Sequence, residues 1–417
     1  MPLLDSDRRT FITQTLGAFA GIALVPVATD LFPTLQAQTT KIALIGTGRH
    51  GRAILAELQK IPQVEVAAIC DKYPARLTLA GERAPRAEHF TDYRALLNKR
   101  TDISAVIVAT PTHLHRKIVE DVVAAGRHVY CEAPIAATVD DSRALATLAA
   151  SVKTVCHAGF QGRSNPTYRR AQPLARTELR DLVSLFAQTH RKTSWRVPAS
   201  SGEPDLEANW RLDPAVSTGL AGEIAAQQID VAHWIRGSYP TVVTGRGAIR
   251  LHKDGRTIAD TIELELLWSD GVPLRHEVTL ANSYGGQYEM VHGVNGTIRL
   301  AWSHGWLFKE PDAPTQGWEV YATRQSNFDE EGIVLIANAT QLAAQGQIQS
   351  GIGLPHPSLY YALMDFLKSV TERAPVACSF TEGARATIVG ILANQAVVTG
   401  QSVAVPDMTG ASVEAFS

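Results

Sequence analysis

Cysteine is scarce in this sequence: four among 417 residues, Cys70, Cys131, Cys156 and Cys378, far apart and with no two at metal-ligand spacing. Neither a disulfide framework nor a zinc site is indicated, and buried thiols at strand ends are the expected use. Charge of one sign is lacking too. The formal net charge is -2 with lysine and arginine spread along the chain, which leaves no basic footprint for nucleic acid and no acidic tail. Long apolar runs are also few. The moderately apolar run from Leu16 to Ala28 is too short and too rich in small residues for a convincing membrane span, with an uncleaved anchor as the alternative. What is present, 45% hydrophobic and 19% charged residues in a chain long enough for two domains, is the composition of a globular protein whose partner is a small molecule.

The N-terminal segment reads as a targeting signal. Arg8-Arg9, then Phe11 and Ile12, then the apolar run stand in the order of a twin-arginine signal, so residues 1–37 are expected to direct export, with cleavage after Ala37. The expected partner is the twin-arginine export machinery and the expected location periplasmic or otherwise exported. A chance arginine pair before an amphipathic helix is the alternative. This route carries folded protein, so a cofactor loaded in the cytoplasm would travel with the chain.

After it, KIALIGTGRHGRAILAEL joins a strand-like run to a helix-forming segment through Gly46, Gly48, Arg49, His50 and Gly51. Glycines allow the tight turn and let the backbone approach a pyrophosphate at the helix N-terminus, where free N–H groups favour negative charge. A second apolar strand, VEVAAICD, ends at Asp71, a carboxylate suited to the ribose hydroxyls of NAD. Lys72 and Arg76 follow closely and would tolerate the 2′-phosphate of NADP. Three further apolar strands, AVIVAT, HVYCE and TVCHAGF, alternate with helical segments, which predicts a doubly wound parallel sheet over residues 40–160. Ligands in such sheets lie beyond the strand C-termini, where Thr110, Pro111, Glu132, Ala133 and Pro134 fall. His113 and His115 in THLHR lack a carboxylate partner and read as cofactor-contacting or solvated rather than as metal ligands.

From residue 161 to 417 the pattern changes to long alternating strands, with Asp270-Gly271 as a hairpin turn, which predicts an α/β domain with a largely antiparallel open sheet. Helices at roughly 216–236, 330–345, 357–373 and 381–399 are expected to cover it. The helix near 381–399 is also expected to pack back on the first domain.

The segments GTGRHG, VATPTHLH, HVYCEAPIAAT, GFQGRSNPTY, NWRLDP, GLAGEIAAQQIDVAHWI and EGARATIVGILANQAVVTG come in an order that resembles the Gfo/Idh/MocA oxidoreductases, in an exported, glucose-fructose oxidoreductase-like branch. The resemblance spans about Lys41 to Gly400. It implies a Rossmann domain, a C-terminal domain for substrate and oligomerisation, an active site between them, a carbohydrate substrate and a homodimer or homotetramer. An oligomer formed through the open sheet would bury the apolar alternations of TIELELLW and HEVTLAN. The glycine loop, Glu132 and Pro134 fall where the resemblance expects the cofactor.

Two positions depart from that family. Its strand end usually reads Glu-Lys-Pro, with the lysine helping to move the hydroxyl proton, but here the middle residue is Ala133. The usual Asp-x-x-x-His ahead of Ile-Asp appears as Glu223, Gln227 and Asp230. Neither a methyl nor an amide can take up a proton, a function that contributes roughly 10²–10⁴-fold to such reactions. Glu223, one helical turn before Gln227, is therefore the expected base, with Tyr168, His157 and His190 in reserve. Arg163, Asn165, Trp210, Arg211 and Asp230 are expected substrate contacts, each with a structural reading as well. Three functions stay open: an exported NAD(P)-containing sugar or polyol oxidoreductase, a redox-neutral glycosidase or epimerase that oxidises its sugar transiently, and a non-catalytic cofactor-bound protein.

Overall fold

The computed structural model describes residues 39–327 and 330–408, so the expected export segment lies outside the described residues. The chain first alternates strand and helix: β1 (Thr40–Ile45), α1 (Arg49–Leu58), β2 (Val64–Cys70), α2 (Pro74–Gly81), β3 (Glu88–Phe90), α3 (Tyr93–Lys99), β4 (Ala105–Val108), α4 (His115–Ala124), β5 (His128–Glu132), α5 (Val139–Ser151) and β6 (Cys156–Gly159). The strands pair in parallel in the order β3-β2-β1-β4-β5-β6. Every residue of β4 is buried, because a parallel sheet covered on both faces needs a continuous apolar run. The order reverses between β1 and β4, and a crevice opens there at the strand C-termini.

The second half follows with α6 (Pro166–Glu178), β7 (Leu182–His190), a short α7 (Asp205–Ala208), α8 (Ala226–Arg236), β8 (Val242–Ala248), β9 (Thr261–Leu267), β10 (Pro273–Thr279), β11 (Gln287–Gly293), β12 (Gly296–Ala301) and β13 (His304–Lys309). Then come β14 (Arg324–Asn327), β15 (Glu330–Val334), α9 (Ala339–Ala344), α10 (Ser358–Thr371), α11 (Phe380–Thr399) and β16 (Val403–Ala404). Among the described residues these strands form one sheet, β14-β15-β13-β12-β11-β7-β10-β9-β8-β16, antiparallel except where β7 and β10 run parallel. Asp270-Gly271 turns the β9–β10 hairpin with Gly271 at φ +82°.

Three expectations need correction. Residues 330–345 are not one helix: Ile333, Val334, Leu335 and Ile336 are all buried, and such a run fits a strand beside β13 better than one helix face. The helix expected near 357–373, α10, covers the first domain instead of the open sheet. Its Leu359, Leu363, Phe366 and Leu367 pack with Ile42, Leu44, Ile54 and Tyr130, because the parallel sheet needs cover on this face. The apolar alternation of β9 and β10 is already buried within the chain. Ile262, Leu264, Leu266, Leu274 and Val278 share a core with Ile229 of α8 and Val389 and Ala393 of α11, while Glu263, Glu265, Arg275 and Glu277 point outward. Helix α11 packs on the first domain as well, with Phe380, Ala384 and Ala386 in the core that holds Cys131 and Ala158.

Candidate active site

The glycine loop is built by sterics. Gly46 has φ +96° and lies so close to Ala109 that a Cβ would come within 2.5 Å of its carbonyl oxygen. At Gly51 a Cβ would sit 2.0 Å from the Gly46 carbonyl oxygen, so only glycine lets α1 start against β1. Gly48 differs: a Cβ there would face the cleft and meet only Arg76 Nη1, at 3.8 Å. Among the described residues no side chain caps α1, which leaves the N–H groups of its first turn for a ligand or water. Asp71 anchors the loop, with Oδ2 accepting from the Thr47 N–H at 2.8 Å and Oδ1 from the Tyr73 N–H at 3.0 Å. Oδ1 keeps acceptor capacity for a ribose hydroxyl.

The cleft between the two sheets encloses about 1290 Å³, room for a dinucleotide and a sugar together. Gly46, Gly48, Arg49, His50, Asp71, Thr110, Pro111, His115, Glu132 and Ala133 line it from the first domain. Three of the residues that line it hold a buried polar atom without a hydrogen-bond partner among the described residues: Thr110 Oγ1, His113 Nδ1 and Trp302 Nε1. A loop that a Cβ would fill, free helix N–H groups and unpaired polar atoms fit a dinucleotide. His115 braces the crevice floor, its ring nitrogens 2.9 Å from the Thr110 carbonyl oxygen and 3.0 Å from that of Pro134. Burial lowers this histidine to about 4, against the pull of the two carbonyls. Its ring is held in the floor by these two contacts, whereas His113 packs edge-on to Trp210.

Glu132 Oε1 lies 3.0 Å from His50 Nε2, an ion-pair approach without hydrogen-bond alignment. The carboxylate raises the His50 imidazole above its ordinary value, against burial. Beside them Ala133 presents only a methyl group to the cleft.

The second domain contributes Glu223. It sits in a π-helical turn, Ala221–Ala225, leading into α8. Small residues force that turn close to α11: a Cβ on Gly390 would lie 3.2 Å from Gly222 Cα and 2.9 Å from the Ala226 methyl. The Glu223 side chain is 3% exposed. Its Oε1 accepts from the hydroxyls of Thr218 at 2.8 Å and Thr112 at 3.0 Å, and its Oε2 faces Arg211 Nε at 3.4 Å. Burial raises the carboxyl, while Arg211 and the two threonines oppose the shift. Arg211 stacks 4.4 Å from the Trp210 ring, and both line the cleft.

The remaining expected site residues do something else. Gln227 reaches the cleft, but its amide is committed at both ends, donating to the Gly159 carbonyl at 2.9 Å and accepting from the Gln161 N–H at 3.2 Å. It clamps the exit of β6. Tyr168 is buried away from the cleft lining, and its hydroxyl donates to Glu289 and accepts from the Trp302 N–H at 3.3 Å. Arg163 grips Asp230 in a two-pronged pair at 2.9 and 2.7 Å and also meets Glu382 at 3.0 Å, so both former substrate candidates tie α8 to α11. Asn165 caps α6, accepting from the Thr167 N–H at 2.9 Å, and donates to Ser358 Oγ at 2.8 Å. Pro134 serves through its carbonyl and Gly51 through its missing side chain. Burial pushes His157, packed between Tyr130 and Phe366, down to about 3, and His190 bonds the Tyr284 carbonyl outside the cleft lining. The sequence reading missed Thr112, Thr218, Trp195, Trp302, His356, Glu203 and Glu207, all at or around the cleft. Of these only Trp302 left a trace in the backbone, a non-glycine residue at φ +55°.

Residues 40–160 match the family model described as "Oxidoreductase family, NAD-binding Rossmann fold", and residues 185–405 match "Oxidoreductase family, C-terminal alpha/beta domain". The chain is 23% identical over 388 residues to levoglucosan dehydrogenase of Pseudarthrobacter phenanthrenivorans, covering 84% of this chain and 94% of that protein. It is 25% identical over 232 residues to the uncharacterized oxidoreductase YrbE of Bacillus subtilis, a stretch that spans 55% of this chain and 63% of the relative. Among solved structures, levoglucosan dehydrogenase in complex with NADH shares the fold at a TM-score of 0.70 and 20% identity, over 89% of this chain and 100% of that one. With both domain models matched in series and a cleft that fits the dinucleotide, the chain belongs to the Gfo/Idh/MocA oxidoreductase family and is an NAD(P)-dependent oxidoreductase.

Proposed function

We propose that this protein oxidises a hydroxyl of a sugar, polyol or sugar derivative, with Glu223 as the base that takes the hydroxyl proton. Bound NAD supplies the hydride acceptor. Glycine-loop N–H groups and Asp71 hold the dinucleotide, and the Glu132–His50 pair borders the opening left by Ala133. Glu223 carries the reading. Thr112 and Thr218 fix its Oε1, which leaves Oε2 to accept a proton beside Arg211. Burial raises its carboxyl, which suits a base working nearer neutral pH than an ordinary glutamate. Trp210 and Trp302 line the cleft beside Arg211, aromatic surface next to a donor, a combination suited to a sugar ring. The match to levoglucosan dehydrogenase along nearly all of that relative supports a carbohydrate substrate.

We further propose export with the dinucleotide aboard, supported by Arg8-Arg9 ahead of Phe11 and the apolar run to Ala28. A retained dinucleotide must be reset inside the site, either by a second substrate or by a redox-neutral cycle. Ala133 favours the second course as an alternative reading, a glycosidase or epimerase that oxidises its sugar only transiently. The test is to titrate dinucleotide-loaded protein with sugars and polyols, levoglucosan among them, and to follow nicotinamide absorbance. One change per protein molecule supports the oxidoreductase. A change that reverses as free alcohol or epimer appears supports the redox-neutral cycle, and a cofactor that no carbohydrate ever reduces refutes both.

A further inference from the structure

We propose that Glu203 and Glu207, on the segment between β7 and α8, commit the dinucleotide site to NAD over NADP and hold its adenosine end closed. The inference rests on the oxidoreductase reading for its ligand. Lys72 and Arg76 stand just past Asp71, the carboxylate suited to the ribose hydroxyls. Left bare, these two cations would form a seat for a 2′-phosphate.

The second domain fills that seat. Lys72 Nζ lies 3.0 and 2.9 Å from the two oxygens of Glu207, and the Tyr73 hydroxyl donates to the same carboxylate. Arg76 pairs with Glu203, whose side chain is 1% exposed and whose other oxygen accepts from the Ser200 N–H at 2.9 Å. The segment is a built element: Asn209 accepts from the Val197 N–H at 2.7 Å and donates to the Val197 carbonyl at 3.1 Å, closing the loop on itself. All six charged and polar partners, Asp71 included, line the same cleft.

The consequence is electrostatic. A 2′-phosphate carrying about -1.5 to -2 charge would meet two carboxylates that already occupy the nearby cations. The neutral 2′-hydroxyl of NAD meets no such repulsion and can donate to Asp71. Both pairs also bridge the domains, so a dinucleotide leaving by this end must break them.

The test is dinucleotide binding by the full chain without any sugar. Dissociation constants for NADH and NADPH and the NADH release rate are read from nicotinamide fluorescence for wild type, for Glu207→Gln, and for Glu203→Gln combined with Glu207→Gln. Wild type should prefer NADH, and the double variant should move that preference toward NADPH by about tenfold or more and speed NADH release by about threefold or more. Because Glu203 is buried, the half-exposed Glu207 provides a second arm, and its single variant should shift the preference in the same direction by about threefold. A folded Glu207→Gln protein with the wild-type preference overturns the proposal. Lack of sugar turnover does not touch this result, whereas a wild-type chain that binds neither dinucleotide overturns the clasp and the oxidoreductase reading together.

Discussion

Glu223→Gln separates proton transfer from binding. The amide keeps an oxygen for the hydroxyls of Thr112 and Thr218, which donate at 3.0 and 2.8 Å, and it keeps the volume of the side chain. It loses the charge opposite Arg211 at 3.4 Å. The guanidinium is 43% exposed, so water can solvate it and the stability cost stays at about 1 kcal/mol or less. Loss of a general base costs roughly 10²–10⁴-fold, or about 3–5 kcal/mol of transition-state stabilisation. Single-turnover formation of reduced nicotinamide by stopped flow should therefore slow by about 10²-fold or more, with a much smaller change in the sugar concentration needed for half-saturation. The pH profile gives a second readout. Burial raises the Glu223 carboxyl and the reaction needs its ionised form, so wild-type rate should fall as pH drops through a value above the ordinary 4.5 of glutamate. The variant should lack that limb. A slowing of less than about threefold, or an acid limb retained by the variant, would refute the assignment.

Gly48→Val should fold but lose NADH binding, since its side chain would project into the cleft, whereas Gly51→Ala should fail to fold normally because its Cβ would meet the Gly46 carbonyl; circular dichroism and NADH fluorescence distinguish the two. Arg163→Ala should lower the unfolding free energy by about 3–5 kcal/mol by stranding buried Asp230, read from denaturant midpoints. Altered sugar affinity at unchanged stability would return Arg163 to the substrate. Burial pushes His157 and His276 down to about 3 and His115 to about 4. Histidines lowered on folding hold their stability above the unfolded value of 6.5 and lose it as pH falls toward the folded one, each by roughly 1.4 kcal/mol per pH unit. Glu289, raised by burial to about 7, opposes this between 4.5 and 7, because its protonated form favours the fold. Glu223, also raised by burial, acts with Glu289, while His113, His128 and His292 are lowered like the other three, so six lowered histidines against two raised carboxyls predict thermal midpoints that drop from pH 6.5 to pH 4.5; a flat profile would contradict the buried, neutral histidines.

The dinucleotide half of the site was legible because its signals are local. GTGRHG, the strand before it and Asp71 lie within about thirty positions, and steric rules tie each glycine to a backbone need. Glu223 was also within reach, as the carboxylate one turn before Gln227, although the π-helical turn that bears it left no mark in the sequence. Arg163, Asn165 and Tyr168 misled for a physical reason. Their partners Asp230, Trp302 and Glu289 lie 67, 137 and 121 positions away, and local pattern cannot tell a polar group satisfied by the core from one offered to a ligand. The same distance hid the clasp, since Arg76 and Glu203 are 127 positions apart. Periodicity identified the apolar stripe of α10 but not the sheet it covers. Leu359 and Phe366 fit either hydrophobic face, and only the route of the chain sends them to the first domain.

The central claim is that Glu223 takes the proton of the sugar hydroxyl, and a crystal structure of the protein with NADH and a carbohydrate identified by the titration tests it most directly. The account predicts a Glu223 carboxylate oxygen within hydrogen-bond reach, about 2.6–3.2 Å, of the hydroxyl nearest nicotinamide C4. A carbohydrate whose reacting hydroxyl meets His50, Arg211 or water instead, while Glu223 stays bonded only to Thr112 and Thr218, would contradict it.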